Sequence, residues 1–163
     1  MGKAYKSAPD ADRVAAHLIS SIHDHLKQYP IRCVFQDEPD KDHGRSRLAS
    51  IRKLTGLVSF LAGAPSLSGG LQESLDLDLP ITYVEPEEML LISVWEGGWN
   101  GLRDSQKLAL IDHELCHARV KEDEKGNVVL MMVGHDIEEF YAVAERNGDW
   151  LGELALLTNA VGV

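Results

Sequence analysis

The spacing of apolar residues predicts three amphipathic helices that build the core of this protein. In each segment apolar side chains recur three or four positions apart, which places them on one face of a helix. The predicted helices are Asp10–Tyr29, Asp104–Val120 and Asp149–Val161. The buried stripe of the first includes Leu18, Ile22 and Leu26, and Pro30 ends it. A shorter helix is predicted over Asp136–Arg146.

Runs rich in branched and aromatic residues predict the strands. These runs are Ile31–Gln36, Met89–Trp95 and Val128–Val133. Arg47–Leu54 fits a strand or a helix, Thr55–Ala62 is more typical of a helix, and residues 64–78 have the Pro, Ser and Gly content of a loop. The patterns together predict an α+β fold, in which a small sheet packs on helices, as a single domain over residues 1–163.

Composition narrows the class of protein. The 163 residues carry a formal net charge of −10, so binding to nucleic acid through its phosphates is not expected. No apolar run is long enough to span a bilayer, and the N-terminal residues lack the apolar segment of a signal peptide. We therefore expect a soluble cytoplasmic protein that binds neither membranes nor nucleic acid directly.

Several residues that can bind metals have a simpler interpretation. Cys33 and Cys116 lie in segments predicted to be buried, so we expect two small buried thiols rather than a disulfide or a metal ligand. His17, His23 and His25 lie in the first predicted helix without being four positions apart. We expect these histidines at the surface or edge of that helix.

The candidate chemistry is concentrated in the sequence His113-Glu114-Leu115-Cys116-His117, within the second predicted helix. Residues four apart are neighbours on a helix, so His113 and His117 can bind one zinc ion together. Glu114 then lies beside the ion, where it can act as general base on a water that the ion has made acidic. This pattern is typical of metalloproteases.

A zinc site with two histidines from one helix needs a third protein ligand. His135 is favoured because it follows a predicted strand and begins the next predicted helix. Glu138 and Glu139 on that helix are the alternatives, since some zinc peptidases take a Glu from a later helix.

Other residues are predicted to support the site. Asp112 or Asp136 can orient a ligand imidazole, and Tyr83 or Tyr141 can donate a hydrogen bond to the oxyanion of the reaction. The strand Met89–Trp95 is expected to border the cleft, where a peptide could pair with its edge.

The chain resembles the putative phage metallopeptidase family and, more distantly, the SprT-type minimal zincins. The resemblance rests on LIDHELCH at residues 110–117, GHDIEEF at 134–140, and WNGL and SQ at 99–102 and 105–106. It implies a zincin-like domain with the motif on a central helix, His113, His117 and His135 as metal ligands, and Glu114 as the base. One extra Glu before Phe140 departs from the SprT pattern, which leaves the third ligand open between His135 and Glu138 or Glu139.

These observations predict a zinc-dependent metallopeptidase that hydrolyses a protein or peptide substrate, in the host cytoplasm if a phage encodes it. The alternative is a zinc-containing binding protein without catalysis, which sequesters a host or viral protein. Glu114 favours the enzyme, because a structural zinc site does not need that carboxylate.

Overall fold

The computed structural model describes residues 2–61, 87–135, 146–149 and 153–162. Its contacts divide the chain into two compact units, Met1–Val133 and Gly134–Val163. The described part of the first unit mixes helices with three small sheets, in agreement with the predicted combination of helices and small sheets. The loop at 64–78 and most of the helix Asp136–Arg146 lie outside the described residues.

A four-stranded sheet forms the centre of the first unit. Its strands, in spatial order, are β1 (Tyr5–Ser7), β2 (Ile31–Gln36), β6 (Met89–Trp95) and β5 (Ala49–Leu54). β2 and β6 run parallel, and the two outer pairs are antiparallel. β6 is therefore a central strand, and β5 is an edge of the sheet.

The other described strands of this unit form two hairpins. One pairs β3 (Asp40–Asp42) with β4 (Arg45–Arg47), and the other pairs β7 (Ala118–Glu122) with β8 (Val128–Met132). Gly126 takes a positive φ of 81° in the turn of the second hairpin, a conformation that glycine adopts without steric cost. The strand predicted at Val128–Val133 is confirmed by β8 of this hairpin.

Four helices lie among the described residues of the first unit. They are α1 (Pro9–Ser21), α2 (Gly56–Leu61), α3 (Glu96–Asn100) and α4 (Asp104–Cys116). A 3₁₀ turn, Asp24–Leu26, follows α1. In the second unit the described helix is α5 (Glu153–Val161).

The core lies between the central sheet and the helices α1 and α4. Alternate residues of β2 and β6 supply one wall, and apolar residues of the two helices supply the other. The buried side chains include Leu18, Phe35, Leu90, Ile92, Val94, Trp99, Ile111 and Leu115. Burying each Leu or Ile contributes about 1.5–3 kcal/mol, so this core holds α4 in a fixed rotation against the sheet.

The first predicted helix is shorter than expected. It ends at Ser21 instead of Tyr29, because the amides of Ile22 and His23 both donate to the carbonyl of Leu18, at 2.8 and 3.0 Å, and tighten the chain. Ile22 is consequently exposed, whereas Leu26 reaches the core from the following turn. The prediction of one continuous helix to Tyr29 is wrong.

The motif helix also ends early. α4 stops at Cys116, and residues 118–120, predicted as the end of this helix, lie in β7 instead. Pairing with β8 satisfies the backbone groups of this segment outside a helix.

The remaining segments divide between confirmation and correction. The ambiguous segment near Arg47–Leu54 contains the strand β5, and α2 lies within the helix predicted at Thr55–Ala62.

The C-terminal helix starts at Glu153, and Leu157 and Val161, expected in the core, are exposed. α5 belongs to the second unit, Gly134–Val163, and so short a segment offers little apolar surface to cover a helix. No helix among the described residues is long and apolar enough to cross a membrane.

Candidate metal centre

The motif residues lie on the final turn of α4. The backbone amide of Arg103 donates to Oε1 of Gln106 at 3.0 Å and closes the first turn, while Ile111 and Leu115 anchor the helix in the core. The carbonyl ends of helical peptides carry partial negative charge, so the last turn of a helix favours a cation. α4 therefore presents His113 and His117 at the end that suits a metal ion.

The imidazole rings of His113 and His117 lie side by side. Their centroids are 5.1 Å apart and their planes are nearly perpendicular, at 84°. His113 is exposed and His117 is half-buried. This is the neighbour relation that four-residue spacing on a helix predicts.

The backbone of Val133 orients His117. Nδ1 of His117 lies 2.8 Å from the carbonyl oxygen of Val133, and the amide of Val133 donates to the carbonyl of His117 at 2.8 Å. A carbonyl oxygen only accepts, so the ring proton is on Nδ1 and a neutral ring has its lone pair on Nε2. Metal-bound histidines commonly donate their second nitrogen to a carbonyl in this way. The donor set therefore fits a metal ion at Nε2.

Glu114 follows His113 in the sequence. Its side chain is buried and faces the edge of the central sheet. Its side chain is 5% exposed, and burial raises the pKa of its carboxyl, while the charge of His117, the backbone amide of Ile51 and the charge of Arg47 oppose that rise. Ile51 is on β5, the edge strand. Because backbone groups of alternate strand residues point to opposite sides, the amide of Ile51 points away from β6 and towards α4.

The connection between α1 and β2 contacts both ends of the motif. Nε2 of His23 lies 2.6 Å from Oδ1 of Asp112, and Nε2 of His25 lies 3.2 Å from the carbonyl oxygen of Ala118. His23 is buried, with 5% exposure, because the turn after α1 directs it inwards. The prediction of a surface His23 is wrong, whereas His17 and His25 are exposed as expected.

Three further expectations need correction. Cys116 is exposed, because α4 directs its neighbour Leu115 into the core and Cys116 lies about 100° further round the helix. Cys33 is buried as predicted. Asp112, predicted to orient a ligand imidazole, is hydrogen-bonded to His23, which is not one of the predicted ligands. The strand Met89–Trp95 has no edge for a peptide, because β2 and β5 pair with its two sides.

The other predicted site residues belong to the second unit or lie outside the described residues. His135 is the second residue of the second unit and is exposed. The alternative ligands and supporting residues lie outside the described residues: Tyr83, Asp136, Glu138, Glu139 and Tyr141. The carbonyl of Val133 and the amide of Ile51 could not be identified from the sequence, since every residue except proline carries the same backbone groups.

Comparison with known protein families places this geometry in context. A family model described as "Putative phage metallopeptidase" matches residues 3–161 of the chain. Comparisons with curated proteins and with solved structures found no match.

Proposed function

This chain belongs to the putative phage metallopeptidase family, and we propose that it is a zinc-dependent peptidase with His113, His117 and His135 as metal ligands and Glu114 as general base. The family description implies a peptidase and a metal ion. The choice of zinc follows from the donors, since a neutral imidazole set is typical of catalytic zinc. The proposed fold is the zincin-like arrangement, with the motif on a central helix.

One observation carries this proposal: the final turn of α4 brings two adjacent imidazoles together with a buried carboxylate. The carbonyl of Val133 holds His117 with Nε2 as the ligand nitrogen. Glu114, on the same turn, lies at the outer edge of β5. A purely structural metal site would have no use for a carboxylate buried at such a cost.

The chain itself supports His135 as the third ligand. Val133 is hydrogen-bonded to His117, and His135 follows it after one glycine. Two residues span at most about 7 Å, so the covalent path allows His135 to approach the same ion. Glu138 and Glu139 are the alternative third ligands.

The bound ion would supply Lewis acidity, which polarises the scissile carbonyl and makes water a nucleophile near neutral pH. Glu114 takes the proton of the attacking water and later delivers it to the leaving amine. Burial raises the pKa of Glu114, which makes its carboxylate a stronger base than an exposed one. The amide of Ile51 keeps the carboxylate oriented while it exchanges that proton.

The substrate is proposed to be a protein or peptide that binds in an extended conformation. β5 replaces β6 as the strand beside which it would lie, because β5 is the sheet edge that reaches Glu114. Main-chain hydrogen bonds to this edge would select an extended backbone over a particular side chain. With a net charge of −10, the chain is proposed to act without direct nucleic-acid binding, in the cytoplasm.

The test combines metal analysis with peptide cleavage. Zinc is measured by plasma mass spectrometry in wild type, His117→Ala, His135→Ala and Glu114→Gln, all purified without added metal. Each protein is then incubated with a proteome-derived peptide library, and new termini are identified by mass spectrometry. We expect wild type and Glu114→Gln to hold about one zinc per chain more than His117→Ala and His135→Ala, but cleavage only in wild type.

Each other result has a defined meaning. Wild type without zinc, even after expression in zinc-supplemented medium, would overturn the metallopeptidase proposal. A zinc content in His135→Ala equal to that of wild type would move the third ligand to Glu138 or Glu139. Stoichiometric zinc without any library cleavage would favour the non-catalytic binding protein.

A further inference from the structure

A second group of metal-binding side chains lies within the first unit. His23, Asp112 and Cys116, here called the His23 cluster, each offer one ligand atom, and these atoms all lie within 4.8 Å of one another. His23 comes from the turn after α1, whereas the other two come from α4. The cluster shares no residue with the proposed catalytic set.

The geometry of the cluster follows from helix periodicity. Asp112 and Cys116 are four residues apart, so they lie side by side on α4, as His113 and His117 do one position later. One residue corresponds to a rotation of about 100°, so the two pairs occupy different faces of the same helical turn. Each face can therefore hold its own ion.

The three donors have the chemistry of a zinc site. Imidazole nitrogen, carboxylate oxygen and thiolate sulfur are the three ligand types that bind Zn²⁺ in proteins. His23 is buried, which holds its ring in place, and Cys116 is exposed, which gives an ion a path from solvent. This combination differs from a cluster of surface carboxylates, which seldom retains an ion.

Nε2 of His23 and Oδ1 of Asp112 are joined by a hydrogen bond of 2.6 Å. Two ligand atoms of one tetrahedral zinc are separated by about 3.3 Å, given bonds of about 2.0 Å to nitrogen and oxygen. A rotation of the Asp112 side chain, which is 37% exposed, can open this gap. The ion would replace the proton of this hydrogen bond and the proton of the Cys116 thiol, so metal binding releases protons.

We propose that His23, Asp112 and Cys116 form a second divalent-metal site that takes zinc and joins α4 to the turn after α1. The ion is bound by three protein ligands, with water completing the tetrahedron. Its effect is structural: it fixes the rotation of the helix that carries His113 and His117. The proposal does not require the chain to be a peptidase.

Cobalt distinguishes the two sites, because only the His23 cluster contains a thiol. Thiolate bound to Co²⁺ gives an intense near-ultraviolet charge-transfer band that imidazole and carboxylate ligands do not give. Metal-free full-length chain is titrated with cobalt chloride as wild type, His113→Ala/His117→Ala, Cys116→Ser and His23→Gln. His17→Gln serves as the matched control, since His17 is an exposed histidine on α1 outside the cluster.

We expect the band in wild type, in His17→Gln and in the double histidine variant. Cys116→Ser should abolish it, and His23→Gln should weaken cobalt binding at this site by more than about tenfold. Zinc should also protect Cys116 from alkylation in the double variant and raise its melting temperature. Circular dichroism verifies that each variant is folded.

No thiolate band in folded wild type at saturating cobalt would overturn the second site. The same conclusion would follow if the band persisted in His23→Gln with unchanged affinity, or if zinc left alkylation of Cys116 unchanged. If wild type showed the thiolate band but bound no metal at His113 and His117, the result would support the second site and count against the catalytic site alone.

Discussion

At the scale of single residues, the candidate site depends on side chains held by backbone groups. The carbonyl of Val133 sets the tautomer of His117, and the amide of Ile51 orients Glu114. The side chains that would do chemistry were visible in the sequence, because spacing of four along a helix makes neighbours. Their backbone partners come from strands that meet α4 only after folding.

Glu114→Gln should stabilise the metal-free protein at neutral pH. Burial raises the pKa of Glu114 in the folded protein. At pH values between the unfolded and folded pKa, the native state therefore binds more protons than the unfolded state, and the free energy of unfolding falls as the pH rises. The glutamine side chain cannot ionise, so the variant avoids this loss of stability. Its side-chain oxygen still accepts the hydrogen bond from the amide of Ile51. Urea unfolding in EDTA should show a stability gain at pH 7 that disappears in acid, where the wild-type carboxyl is protonated in both states.

Glu122 supplies the control, because it is exposed on β7. Glu122→Gln makes the same replacement of a carboxyl by an amide, but at a side chain that is not buried. A gain of equal size in Glu122→Gln, or no gain in Glu114→Gln, would contradict the assigned cause.

Asp40→Asn should have the opposite pH dependence. The hydrogen bond from Lys3 is the main cause that lowers the pKa of Asp40, so its stabilisation is present above the unfolded pKa and is lost as pH falls through the folded pKa. Because the Asp40 side chain is 36% exposed, we expect a loss of less than about 1 kcal/mol at pH 7. Urea unfolding at several pH values should show the two proteins converging in acid. A constant difference at all pH values would argue against this carboxylate as the cause.

At the scale of elements, the edge strand β5 connects the sheet to the motif. Antiparallel register places Ile51 opposite Ile92, and the amide that reaches Glu114 is on the side away from β6. Ser50, one residue earlier, directs its backbone groups towards β6. Neighbouring positions of one strand therefore have different roles, one in the sheet and one beside the site.

Proline substitutions separate these two roles. Ile51→Pro removes the backbone amide that donates a hydrogen bond to Glu114. It removes no hydrogen bond between β5 and β6, and an edge strand tolerates proline on its outer side. We expect a folded protein that retains zinc and cleaves library peptides at least about tenfold more slowly. Ser50→Pro removes a ladder hydrogen bond and should lower the melting temperature instead. Equal loss of stability in both variants would contradict the assigned strand register.

At the scale of the whole molecule, a single domain over residues 1–163 stays a prediction. The family model spans residues 3–161, and the contacts divide the chain at Gly134. Hydrogen exchange measured in increasing denaturant tests this point. For a single cooperative domain, amides of β6 and α5 should converge on one unfolding free energy. If α5 opened with a much lower free energy at every denaturant concentration, the chain would consist of two independently folding units.

The sequence by itself determined what depends on local periodicity: the paired histidines on α4, the strands β2, β6 and β8, and the mixture of helices and small sheets. Spacing along a helix or strand sets these features without reference to distant residues. Tertiary structure decided the end of α4 at Cys116, the exposure of that thiol, the burial of His23 and the choice of β5 as the edge beside Glu114. Each of these depends on which distant segments pair, and pairing is settled by packing of the whole core, which local patterns do not encode.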